Sequence, residues 1–265
     1  MTSSAPRLPP GSPEPENEVR LTFVEHLREL RVRLLHALSG VGAGMAVVGW
    51  FVPRIRSWLL APVLAALPEG DQTIKFTGAL DPFMNSLRIM LVGGIFLSAP
   101  WVLWQLWLFI APGLYKREKR MVFPFLFFGT LLFYAGAAFC YWVVMPQAFP
   151  AMLSFAADPI LQPMLTLDAQ YSLVLGMILG FGIVFELPVV IAFLAMIGLV
   201  TPQFLAKYRR HAMIANVALA AIITPTGDPI NLAIMAVPMI VFYEIGILLA
   251  RILGKRPAQA GTGAP

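Results

Sequence analysis

Residues 23 to 33 read FVEHLRELRVR, and the chain then turns almost wholly apolar from Leu34 to Val52. A basic collar on a membrane span has no need of carboxylates, so Glu25 and Glu29 are either local helix chemistry or part of a binding site. Thr22, three residues before Glu25, fits a capping box, in which hydroxyl and carboxylate each satisfy a free amide at a helix start. Phe23, Leu27, Leu30 and Leu34 recur at helical spacing and form an apolar stripe that can lie on a membrane surface or on a bundle. Glu29 falls off that stripe. Its spacing to Arg33 allows an i,i+4 pair worth only about 0.3–0.5 kcal/mol, so a solvated face and a ligand role both stay open. Glu118 stands alone within KREKR, 116 to 120, where a purely topological signal would be stronger without it.

Two further acids lie inside apolar runs. Glu244 is close enough to the end of its run to reach the interface, whereas Glu186 lies near the middle of FGIVFELPVV. An ionised group at that depth costs about 2.5–3.5 kcal/mol even on the lenient insertion scale, which makes Glu186 a functional candidate. The bland alternative is a protonated Glu186 bonded to a neighbouring helix. In WVLWQLWLFIAPGLY, 101 to 115, Trp101, Trp104 and Trp107 come at i+3 steps and read as an interfacial aromatic belt. Phe109, just beyond them, brings an apolar wall to within a few turns of Glu118.

These groups sit in a chain of 265 residues that is 58% hydrophobic and 12% charged, with mean hydropathy +0.77. That balance defines an all-α integral membrane protein, and the net charge of +5 requires no nucleic acid. The single cysteine, Cys140, cannot form an intramolecular disulfide and reads as packing. His26, His36 and His211 show no metal-ligand spacing, and no phosphate loop or GxSxG elbow occurs. Neither a metal, nor a cofactor, nor an enzyme is indicated. A multi-pass solute or ion permease with Glu186 as its ion or proton site remains as an alternative.

Apolar runs lie at about 34–52, 84–111, 121–146, 171–199, 212–223 and 230–250. The fifth spans only ~18 Å against a hydrocarbon core of ~30 Å. Charge decides its status. Four basic clusters, which the positive-inside rule places on the cytoplasmic side, hold with Arg7 and Arg20 fifteen of the 19 basic residues. Neighbouring clusters must then be separated by even numbers of crossings, so Tyr208 to Arg251 is a hairpin. The expectation is six transmembrane helices, the last two short, with both termini cytoplasmic. GxxxG spacings at Gly40 and Gly44 and at Gly176 and Gly180 permit close helix approach.

Taken together, FVEHLRELRVR, SAPWVLWQLWLFIAPGLYKREKR, FGIVFELPVV, TPTGDPINLAIMAVPM and FYEIG resemble the TatC family, the multi-spanning receptor subunit of the twin-arginine protein translocase. The resemblance covers about residues 21–253, as a single six-helix domain between disordered cytoplasmic tails at 1–20 and 254–265. It implies a concave, glove-like bundle in a bacterial-type cytoplasmic membrane. It also implies recognition of twin-arginine signal peptides on folded cargo, assembly with TatA- and TatB-like single-span subunits, self-association, and transport driven by the proton-motive force. Position by position, it implies signal-peptide contact by Glu29, Phe109 and Glu118. Supporting or assembly roles fall to Arg31, to Pro62 as a periplasmic-loop proline, and to Tyr141, Glu186 and Asp228. The pattern departs after Asp228, where relatives often carry a glutamine that contacts partner spans and this chain has Leu232, with Asn231 beside it.

Overall fold

A computed structural model describes residues 23–67, 73–110, 122–154, 164–223 and 229–254. Apart from Gly254, the two tails lie outside the described residues, as does Thr22 of the capping box. In the lipid interior every backbone polar group must find its partner inside the protein, so the apolar runs fold as helices. In chain order these are α1 (Phe23–Ala65), α2 (Asp81–Ile110), α3 (Val122–Phe139), a π-helical turn (Cys140–Val144), α4 (Met145–Ser154), α5 (Leu167–Phe185), α6 (Leu187–Met196), α7 (Pro202–Lys207), α8 (Arg209–Ile223) and α9 (Pro229–Leu253). α3, the π turn and α4 form one 33-residue apolar unit, and α5 with α6 another of 30 residues. With α1, α2 and α9 they make five helices long and apolar enough to span a bilayer. α8 is the sixth and short one, its 15 residues covering only ~22 Å. It packs along α9, as the hairpin expectation requires.

α1 departs from expectation by continuing to Ala65, well past the apolar run that ends at Val52, with Pro53 and Pro62 inside it. Pro62, expected in a loop, is therefore helical. A proline has no N–H for the carbonyl four residues earlier, so Pro62 frees the carbonyl of Trp58. The Tyr141 hydroxyl, on the π turn, donates to that carbonyl at 2.7 Å. Pro100 in α2 likewise frees the carbonyl of Phe96, and Tyr134 donates to it at 2.8 Å. Tyr134 and Tyr141 are seven residues apart, two helical turns, so one face of the third span supplies both missing donors.

α1 and α2 pack through small residues. A Cβ on Gly44 would stand 2.7 Å from the carbonyl oxygen of Gly94, and Gly40 lies beneath the Trp101 ring with no room for a side chain. Trp101 Nε1 also donates to the His36 carbonyl at 2.9 Å. Trp101→Phe, which keeps a ring and deletes this donor, is expected to cost about 0.5–1.5 kcal/mol in reversible unfolding from mixed micelles. The second glycine pair is not used in the same way, since a Cβ on Gly176 would meet nothing within 4 Å. α5 runs through the main core, where Tyr171, Val174 and Phe181 are essentially inaccessible. Cys140 is fully buried and free. Where α1 ends and α2 begins, Lys75 and Thr166 form an isolated parallel bridge, tying the segment before α2 to the segment before α5.

Candidate functional site

The first turn of α1 meets the last turn of α2. The His26 ring stacks on Phe109 with centroids 4.5 Å apart and planes 20° from parallel. Glu29 stands three residues beyond His26, on the same side of α1 and one turn further along. Two of the expected contact residues, Glu29 and Phe109, thus share one rim. The third, Glu118, lies outside the described residues.

Glu29 is held only loosely. Its Oε1 accepts from Arg33 Nη2 at 3.4 Å, the i,i+4 pair that the spacing suggests, while Arg33 Nε is buried without a partner among the described residues. A carboxylate offers about four acceptor sites, so most of this group's capacity is free for a second guanidinium. Glu25 lies in the first turn of α1, where the helix dipole favours an acid. The stripe of Leu27, Leu30 and Leu34 is exposed, so it faces outward from the described helices. Arg31 is exposed as well.

His26 does not stand out in the sequence as a site residue. The available signal is its i,i+3 relation to Glu29, but its partner Phe109 is distant in the chain. The tryptophans also divide. Trp101 and Trp104 are exposed, whereas Trp107 is buried against Phe125 and Phe193, with centroids 5.2 and 5.0 Å away. Each i+3 step turns the helix face by about 60°, so by Trp107 the row has left the lipid side and entered the protein.

Glu186 occupies the break between α5 and α6. Pro188 cannot continue the hydrogen bonding of α5, and the chain re-enters a helix directly after Glu186. The carboxylate lies over Gly129 of α3, where a Cβ would stand 3.2 Å from Oε2 and 3.6 Å from Leu103 Cδ1. Its Oε1 is buried with no hydrogen-bond partner among the described residues, and so is Thr130 Oγ1 on the neighbouring position. The hydrogen bond to a neighbouring helix envisaged for a protonated Glu186 is therefore absent at Oε1 among the described residues. Glu244 pairs with Arg209 at 2.8 Å, joining the start of α8 to α9. Pro62 and Tyr141 line one small cavity, and Trp58 stacks on Tyr141 at 4.0 Å. Asp228 lies outside the described residues, and Leu232 packs half-buried against the main core. No cluster of three or more His, Cys, Asp or Glu side chains gathers among the described residues.

Five long apolar helices with a sixth, shorter one beside the last define a multi-pass helical membrane protein. The family profile described as Sec-independent protein translocase protein (TatC) matches residues 25–238. The chain belongs to the TatC family. It is 38% identical over 232 residues to the TatC protein of Koribacter versatilis, covering 87% of this chain and 85% of that one. It is 39% identical over 239 residues to that of Desulforapulum autotrophicum, covering 90% and 87%. The crystal structure of a twin arginine translocase receptor, TatC, superposes with a TM-score of 0.74 at 34% identity, covering 86% of this chain and 99% of that one. These relatives lend no support to the permease alternative.

Proposed function

We propose that this TatC-family chain, a receptor of twin-arginine translocation, grips the paired arginines of a signal peptide with Glu29 and Glu118 at the rim where α1 begins and α2 ends. The observation that carries the proposal is the stack of His26 on Phe109, which holds an aromatic wall beside a carboxylate bound to the protein by a single long contact. Guanidinium is planar, permanently charged and able to bond a carboxylate bidentately, so two carboxylates at a partly dehydrated rim distinguish arginine from lysine. The apolar part of the signal then runs along the bundle from Phe109.

In this reading the basic clusters are cytoplasmic, both termini lie on that side, and the membrane is the bacterial cytoplasmic membrane. Arg31, Pro62, Tyr141, Glu186 and Asp228 support the fold or the assembly with TatA- and TatB-like single-span partners and further copies of the chain. The proton-motive force drives transport. A photo-crosslinker at position 118 is expected to capture a twin-arginine precursor and not its twin-lysine counterpart, and equal capture of both would refute the proposal. Glu118→Ala should abolish precursor binding while the chain still inserts normally, whereas lost insertion would mark the residue as structural.

A further inference from the structure

Arg88 is a cation well inside α2, two turns from Asp81, on the side of the bundle away from the rim. Its Nη1 donates to Asp168 Oδ1 and to Ser172 Oγ, both at 2.6 Å. Those contacts use one nitrogen. The Asp81 carboxylate is a further electrostatic neighbour of the guanidinium, and no hydrogen bond among the described residues engages Nε, Nη2 or Asp168 Oδ2. The two side chains are 45% and 47% exposed, so a cationic and an anionic edge lie side by side and open.

This pair stands about one helical turn from an apolar cavity. Val92 is one turn below Arg88 on α2 and Leu175 one turn below Ser172 on α5, and both line a space of about 390 Å³ bounded also by α1 and α3. The volume is on the order of ten water molecules, yet the walls offer water little. The phenol hydrogens of Tyr134 and Tyr141 are already given to the Phe96 and Trp58 carbonyls, and the remaining lining is almost wholly apolar, including Ile55, Ala138 and Ile178. Trp58 and Trp142, which line it, are 49% and 68% exposed, so the cavity opens on the outer surface of the bundle.

We infer that this is a site for one glycerophospholipid with a primary-ammonium headgroup. Its phosphate sits on the free edge of Arg88, its ammonium on Asp168 Oδ2, and an acyl chain occupies the apolar cavity. A zwitterion matches an ion pair left half open better than a purely anionic headgroup, which Asp168 would repel. A quaternary ammonium can approach that carboxylate but cannot donate a hydrogen bond to it. The inference is independent of the signal-peptide reading.

Native mass spectrometry of the full chain released from detergent tests it, with dioleoyl phosphatidylethanolamine, phosphatidylcholine and phosphatidylglycerol offered in turn. One phosphatidylethanolamine should be retained about ten-fold more strongly than the choline lipid of identical chains, the usual effect of one charge-assisted hydrogen bond. Asp168→Asn should reduce that preference to parity. Arg88→Gln should weaken retention of both zwitterionic lipids, and Ala138→Phe, which fills the cavity, should weaken all three. Equal retention of the three headgroups by the wild-type chain would overturn the inference whatever the variants do. Equally fatal would be a preference that survives Asp168→Asn, equal capture of inorganic phosphate, or displacement of the lipid by a twin-arginine signal peptide.

Discussion

Glu29→Gln is expected to weaken binding of a twin-arginine signal peptide by about 10–100-fold, because a hydrogen bond to a charged group contributes about 1.5–3 kcal/mol and its neutral amide replacement retains only part of it. Glutamine keeps the size and the acceptor oxygen, so the change isolates charge. The local competitor supplies the control. Arg33 contacts Glu29 through one bond at 3.4 Å, and i,i+4 ion pairs on a helix contribute only about 0.3–0.5 kcal/mol. Arg33→Ala should therefore leave twin-arginine affinity unchanged or slightly raised. Isothermal titration with a synthetic signal peptide and its twin-lysine analogue reads both effects. A Glu29→Gln chain that still separates the two peptides as the wild type does would show that this carboxylate is not part of the discriminating pair.

Tyr141→Phe should cost about 1–2 kcal/mol of stability, because the Trp58 carbonyl loses the phenol that replaces the backbone donor Pro62 cannot provide. The same substitution in a Pro62→Ala background should cost a few tenths to about 0.6 kcal/mol, the ordinary size of an interhelical hydrogen bond in a membrane, since an alanine in place of the proline brings a backbone N–H within reach of that carbonyl. A double-mutant cycle measured by steric trapping gives the coupling directly. If Tyr141→Phe costs the same in both backgrounds, the two residues act independently.

Much of this architecture is legible in the chain. The bunching of basic residues requires the Tyr208–Arg251 hairpin although its first arm is too short by hydropathy, and α8 with α9 forms that hairpin. Glu29 with Arg33 is legible because a helix fixes an i,i+4 neighbour. The extension of α1 is not, because Pro53 and Pro62 are ordinary stop signals and the compensating phenol lies in a different span. Trp107 is misplaced by its spacing for a related reason. A row of i+3 steps looks like one stripe but rotates steadily around the helix. His26 and Phe109 meet only through the register of α1 on α2, which Gly44, Gly94 and Trp101 set and no local pattern encodes. The roles of Glu118 and Asp228 rest on sequence resemblance.

α1 is one helix of 43 residues, ~65 Å long, about twice the thickness of the hydrocarbon it crosses. Glu29 is near one end of it, and Trp58, seated on Tyr141, is near the other. Helix rather than loop joins them, with Pro53 between and the tight glycine contact with α2 near the middle. Under the proposed function, a signal peptide held at Glu29 and the Tyr141 seat of Trp58 are linked by one continuous backbone.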